Sequence, residues 1–312
     1  MWINYMNLIT SRNPIQMQAW LESLRPKTLP LGIAPIITGS ALAYWSGAFT
    51  LSIALLALLT AAALQILSNL ANDYGDAVKG SDTEQRLGPL RGIQKGIISL
   101  AEMKVALKIT IFICCLFGLT LIIVAGRTPK DIIGFLILGV IAITAAITYT
   151  VGKKPYGYLG LGDISVLIFF GWLSVIGTYY LHTNYFNLMT LLPATACGLL
   201  SVAVLNVNNM RDIDNDIKAG KNTLAVRLGA KGARQYHAAL ILIAIFCLIL
   251  FSLLYLHHWT GWLFLLAIPM LLNHIKKIIH DTTAEGMKPL LENMVKAALL
   301  TNILFSIGLI LN

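Results

Sequence analysis

A nine-span, all-α polytopic membrane protein is the fold class this sequence predicts, and three observations carry it. Of 312 residues, 57% are hydrophobic and only 12% charged, with a mean hydropathy of +0.75. Soluble domains carry about 25% charged residues, so a water-soluble globule is excluded. Apolar runs of bilayer-spanning length, about 20 residues each, recur along the whole chain. The basic residues, finally, fall in alternate connections between those runs, as membrane orientation requires. That distribution accounts for the net charge of +9 without a nucleic-acid partner.

The elements follow in order. The first span, 29–46, comes after an N-terminal segment bearing Arg12, Arg25 and Lys27, with residues 1–19 read as a cytoplasmic tail. The second, 51–72, leads into a long polar connection holding Lys79, Arg86, Arg91, Lys95, Lys104 and Lys108. The third, 105–125, is joined to the fourth, 131–150, by a short turn with only Arg127 and Lys130. Lys153 and Lys154 precede the fifth, 163–182, and a nearly charge-free turn leads to the sixth, 188–208. A second long connection carries Arg211, Lys218, Lys221, Arg227, Lys231 and Arg234 before the seventh span, 236–256. Trp259 and Trp262 open the short eighth span, 259–275, at an interface. Lys276, Lys277 and Lys288 then precede the ninth, 294–311, and Lys296 lies at its start.

All but two of the 23 bases therefore share one side, which the positive-inside rule makes cytoplasmic. The N-terminus is then inside and the C-terminus outside, a separation that an even number of spans would not give. Of the 14 acids, only Asp131 lies outside, although orientation does not demand this. Both charge signs gathered over one face indicate a polar working chamber at the cytoplasmic surface. The chain reads as one domain over 1–312, and residues 1–17 show no signal peptide. Cys114, Cys115, Cys197 and Cys247 lack ligand spacing and read as small buried hydrophobes. The six histidines show no ligand spacing either.

The two long connections repeat each other. Shifting by 139 residues superposes Asn69 on Asn208, Asp73 on Asp212 and Lys79 on Lys218, and Arg86-Leu-Gly88 echoes Arg227-Leu-Gly229. The chain thus has two parallel, sequence-related halves, each ending an even-numbered span in the same polar pattern. Asn and Asp four apart project from one helix face; Asp212 and Asp216 repeat that spacing, and Asp73 and Asp76 use its three-residue equivalent. Stacked carboxylates repel unless a cation lies between them. Oxygen ligands without His or Cys suit a hard cation, Mg²⁺ before Ca²⁺. Two such clusters, with Lys79, Lys153, Lys154, Arg86, Arg91, Lys218 and Arg227, are what a diphosphate needs. Either motif alone is equally a capped, solvated turn; the duplication on one face argues against that. Tyr149 is either an interface anchor or a chamber residue, and Asp163 either a helix N-cap or a chamber residue.

The Asn69-x3-Asp73 motif with Asp76 and Asp82, the Asn208–Asp216 run, Tyr149-x3-Lys153 and nine spans resemble the UbiA superfamily of intramembrane prenyltransferases. The likeness runs from about Trp20 to the C-terminus. Leu24-Arg-Pro-Lys-Thr-Leu-Pro30, Lys79-Gly-Ser-Asp82 and Arg86-Leu-Gly-Pro89 look like its menaquinone-forming branch. Many members carry a further Asp where this chain has Gly80, and Asp82 stands in for it.

The resemblance implies helices around a central cavity, Mg²⁺ dependence, a polyprenyl diphosphate donor and 1,4-dihydroxy-2-naphthoate as acceptor, in a bacterial cytoplasmic (inner) membrane. It implies Asn69, Asp73, Asp76, Asp82, Asn208, Asp212 and Asp216 around the metal. Asn69, Lys79, Arg86, Lys153, Asn208 and Arg227 would bind diphosphate, Tyr149 would face the allylic cation, and Arg91 or Arg211 would orient the acceptor carboxylate. Sister prenyltransferases acting on 4-hydroxybenzoate or homogentisate are the nearest alternative. A transporter is the alternative outside enzymes, though carriers place their ionisable residues within spans.

Overall fold

The structure is a computed structural model that describes residues 14–80, 91–280 and 283–312. Asp82 and Arg86 lie outside the described residues, as does the first part of the expected tail. The described chain is helical in this order: α1 (Pro14–Leu24), α2 (Leu29–Trp45), α3 (Leu51–Lys79), α4 (Leu100–Ala125) and α5 (Pro129–Thr148), then α6 (Gly162–Thr183), α7 (Leu188–Arg211), α8 (Ile213–Lys218), α9 (Leu224–Tyr255), α10 (Trp259–His280) and α11 (Met287–Ile310). Eight of these are each long and apolar enough to cross a bilayer, and nine if α1 and α2, bent by 45° at their junction, count as one span. The chain is a multi-pass membrane protein.

Local sequence sets several helix starts. Ser99 and Glu102 form a reciprocal capping box at the head of α4, and Thr128 and Asp131 form another at α5, where Pro129 takes the first turn. Two elements run past the apolar spans. The second span was expected to end at residue 72, yet α3 continues to Lys79, so the first acidic motif is helix rather than loop. Polar side chains continue a helix without cost where partners meet them, and Asn69, Asp73 and Asp76 are all met. α9 likewise begins at Leu224, twelve residues before the expected span, and bends at Gly229.

α7 runs through the middle of the bundle, with 72% of its apolar stretch buried, and packs on α2, α6, α9 and α11. α3, α4 and α5 pack together on the other flank, α5 with no buried residue. The main core joins α2, α6, α7 and α9 to α11. A second cluster, Ile36, Ile53, Ala57, Leu121, Ala125 and Leu181, sits at the end of α3 remote from its acids. α1 packs Ala19 against Leu70, Ile98 and Met103, which straps the N-terminal helix across the acidic end of α3.

Candidate active site

α2 to α7 enclose a cavity of about 470 Å³. Along most of its length the wall is apolar, with Leu64, Leu121, Phe135, Leu138, Phe169 and Leu173 among its residues. At one end it turns polar. There α3 contributes Asn69, Asn72 and Asp76, α7 contributes Asn208 and Asn209, and the segment beyond contributes Asp212, Asn215 and Asp216. The two halves of the repeat thus meet at one cavity mouth.

Buried carboxylates need partners, and each half supplies them differently. Asp73 Oδ1 accepts from Arg25 Nη2 at 2.6 Å and lies 3.1 Å from Arg91 Nε. Asp76 Oδ2 accepts from Arg91 Nη1 at 2.8 Å; its Oδ1 accepts from the Tyr158 hydroxyl at 2.7 Å and from Lys221 Nζ at 3.0 Å. Lys221 follows the second motif, so this bond ties the two halves together. Asp212 is held by its chain neighbour: Arg211 Nε donates to Oδ1 at 2.8 Å and Nη2 to Oδ2 at 2.6 Å. Arg211 Nη2 also reaches Asn208 Oδ1 at 2.9 Å.

The connection between α5 and α6 closes the mouth. Thr150 Oγ1 donates to the Ala71 carbonyl and to Asn72 Oδ1, both at 3.0 Å. A Cβ on Gly75 would stand 2.7 Å from the Thr150 carbonyl oxygen, so only glycine between Asp73 and Asp76 lets this loop approach. The approach carries Tyr149 into the cavity wall. Its ring meets Tyr156 edge-on at 5.3 Å, and a Cβ on Gly162 would stand 2.8 Å from its hydroxyl. Burial pushes the Tyr149 phenol above its ordinary pKa, and the nearby Asp163 carboxylate adds to the shift. The hydroxyl therefore stays protonated.

Of the residues singled out by sequence, Asn69, Asp76, Tyr149, Asn208, Asp212 and Asp216 line the cavity, and Asp73 is buried directly behind it. Arg91 lines it too, shared among Asp73, Asp76 and the Asn72 carbonyl. Arg211 is buried beside Asp212, outside the wall. Lys79 and Lys153 are exposed and do not line the cavity; the Lys79 ammonium lies 4.5 Å from the ring centroid of Tyr158, which does. Arg227 is exposed and donates to the Leu159 carbonyl at 2.6 Å. Sequence reasoning assigned no site role to Arg25, Tyr158 or Lys221. In the sequence Lys221 reads as an orienting charge, Arg25 reads as an orienting charge and as part of the Leu24–Pro30 stretch, and Tyr158 lies shortly after the Tyr149-x3-Lys153 motif.

Among the described residues, no three His, Cys, Asp or Glu side chains already form a metal-binding group. The donor chemistry nevertheless suits a hard cation. The available ligands are carboxylate and amide oxygens, and Asp73 Oδ2 is buried without a hydrogen-bond partner.

A membrane bundle whose apolar cavity opens between two carboxylate- and amide-bearing motifs defines a class: proteins that hold a lipid-like molecule by its charged head. Within that class the assignment is specific. The chain belongs to the UbiA prenyltransferase family, which matches residues 32–294, and is a membrane prenyltransferase. It is 59% identical to the 1,4-dihydroxy-2-naphthoate octaprenyltransferase of Escherichia coli (strain K12), over 97% of this chain and 99% of that protein. It is 52% identical to the enzyme of the same name from Haemophilus influenzae, over 95% and 97%. Among solved structures, an apo UbiA homolog from Aeropyrum pernix K1 matches with a TM-score of 0.65 at 17% identity, covering 90% of this chain and 97% of that one. A UbiA homolog from Archaeoglobus fulgidus bound to DMAPP and Mg²⁺ matches with a TM-score of 0.62 at 15% identity, over 92% and 99%.

Proposed function

We propose that this enzyme transfers a polyprenyl group from polyprenyl diphosphate to 1,4-dihydroxy-2-naphthoate, releasing diphosphate and CO₂ and yielding demethylmenaquinol, the reduced form of demethylmenaquinone. The reaction takes place at the cytoplasmic face of a bacterial inner membrane. The observation that carries the reading is the convergence of both acid-and-amide motifs on the polar end of one apolar cavity. The head of the donor belongs at that end and its tail along the apolar wall.

Asn69, Asp73, Asp76 and Asp82 from one half, with Asn208, Asp212 and Asp216 from the other, would hold Mg²⁺, which when bound supplies positive charge against the departing diphosphate. Lys79, Lys153 and Lys221 add fixed or mobile positive charge around the same oxygens, as do Arg86 and Arg227 where the chain brings them within reach. As the allylic C–O bond breaks, its electron pair leaves with the diphosphate. Tyr149, half-buried in the cavity wall and neutral, presents a π face to the allylic cation and excludes water from it. The hydroquinone ring forms the new C–C bond at the carbon bearing the carboxylate. Loss of CO₂ returns the electron pair of the old C–C bond to the ring and restores aromaticity. For the tail, transfer from lipid to an apolar groove gains almost nothing, so selection of chain length is steric.

Membranes containing the enzyme test this with radiolabelled polyprenyl diphosphate, offering 1,4-dihydroxy-2-naphthoate or 4-hydroxybenzoate, with Mg²⁺ or with chelator. The expected result is a lipid-soluble product from the naphthoate alone, with CO₂, abolished by chelation. Product from 4-hydroxybenzoate instead would overturn the acceptor, and product in chelator would overturn the metal.

A further inference from the structure

Arg25 stands in the short turn between α1 and α2 with φ of 53°, the left-handed region. Pro26 follows it, and a residue before proline is disfavoured in the right-handed helical region, so α1 has to end here. Glycine is the usual residue for such a C-terminal turn, because any side chain there is strained. The chain keeps an arginine at that cost, and strain retained in a cavity wall points to what the side chain does.

The guanidinium reaches across 48 positions of sequence to a carboxylate, Asp73 Oδ1, at 2.6 Å. The turn itself is latched to the same helix, since Asn69 Nδ2 donates to the Leu24 carbonyl at 3.0 Å. Among the described residues, three arginines stand at or beside the mouth, and they differ in reach. The Arg25 side chain is 28% exposed, against 11% for Arg91 and 6% for Arg211. Arg91 is divided between two aspartates and a backbone carbonyl, and the Arg211 fork is filled by the adjacent Asp212. Arg25 lines the cavity, is the most exposed of the three, and is paired with a carboxylate that has a second cation. If Arg25 turned away, Asp73 would keep Arg91 Nε at 3.1 Å, so no buried charge would be stranded.

We infer that Arg25 is the receptor for the carboxylate of the aromatic acceptor, exchanging the Asp73 carboxylate for that of the substrate. This rests on the acceptor proposed above. A guanidinium matches a planar carboxylate with two parallel N–H bonds, so it fixes the orientation of the ring as well as its charge. The exchange also sorts substrate from product. Once the carboxylate has left as CO₂, the prenylated ring offers Arg25 nothing to hold, and the guanidinium returns to Asp73. Arg25 is therefore a binding and positioning residue, and the ring carbon reacts while it holds the neighbouring carboxylate.

The test is binding to the purified full chain in lipid nanodiscs, using 1,4-dihydroxy-2-naphthoate and 1,4-dihydroxynaphthalene, the same ring without a carboxylate. Wild type, Arg25→Gln and Arg25→Lys are compared, together with the KM for polyprenyl diphosphate. Loss of a charged hydrogen bond is expected to weaken naphthoate binding by about tenfold or more in Arg25→Gln. Arg25→Lys recovers part of it, while the carboxylate-free ring and the donor KM stay within about twofold, which also shows that the cavity is folded. Equal loss for both rings, or a loss confined to the donor, overturns the inference. A wild-type preference for the naphthoate that survives Arg25→Gln overturns this inference alone; absence of that preference in wild type overturns the acceptor reading as well.

Discussion

Asp73 and Asp76 ride on the unbroken end of α3, whereas Asp212 and Asp216 lie at and beyond the break between α7 and α8. The first pair is gripped from three directions: by Arg25 from the α1–α2 turn, by Arg91 from the α3–α4 connection, and by Lys221 and Tyr158 from later in the chain. Asp212 is gripped from within its own segment, by Arg211 beside it. One sequence pattern, duplicated, has therefore acquired two mechanical roles. The first motif, beyond the ligand role proposed for it, is the point where four segments are tied together. In the second, Asp212 is held by the adjacent Arg211 rather than by a distant segment.

The strongest way to break this comparison is Asp76→Ala. It leaves Arg91 and Lys221 facing each other in a buried site, and turnover is expected to fall by at least about a hundredfold. Thermal melts in detergent should also show a loss of about 3–5 kcal/mol, as for other buried pairs broken on one side. Asp212→Ala is the matched control: turnover falls comparably, but stability falls by only about 1–3 kcal/mol, because Arg211 keeps Asn208 as a partner. Equal melting losses in the two variants would erase the distinction between the motifs.

Much of this was legible in the sequence. The apolar runs mark the spans, and the 139-residue repeat, with each copy ending an even-numbered span, predicts that the two motifs lie at one end of the bundle, where both reach the polar end of the cavity. The extension of α3 was not legible, because hydropathy falls where Asn72 and Asp73 begin and a span-length ruler stops there. Nor was Arg25. In the sequence it is a base explained by orientation and a member of the Leu24–Pro30 stretch, and its contact with Asp73, 48 positions away, appears only in the fold. Arg91 and Arg211 could not be ranked as acceptor ligands from spacing. Their ranking depends on which guanidinium the neighbouring carboxylates have already filled.

Smaller effects sharpen the account at the loop that joins the two motifs. Gly162→Ala places a methyl group 2.8 Å from the Tyr149 hydroxyl and displaces the ring. About tenfold less prenylated product is expected, with free polyprenol appearing as water reaches the allylic cation; chromatography of the labelled lipids measures both. Unchanged partitioning would show that Tyr149 does not shield it. Smallest of all is the effect of pH. Because the Tyr149 pKa is raised in the folded state, its phenol stays protonated through neutral pH and contributes no limb to the activity profile there. Its burial stabilises the fold below the unfolded pKa of about 10, and that contribution is lost as pH rises through the higher folded value. Tyr149→Phe should accordingly flatten the alkaline fall in melting temperature and leave the neutral range unaltered.

The central claim is that the two motifs form one diphosphate site. It is tested most directly by the rate of labelled diphosphate release from polyprenyl diphosphate in wild type, Asp73→Asn, Asp212→Asn and the double variant. Groups acting as a unit lose their function together, so the double variant should be no slower than the worse single variant, each of which falls by about a hundredfold or more. A double variant whose loss equals the product of the two single losses, or a single variant within about tenfold of wild type, would contradict it.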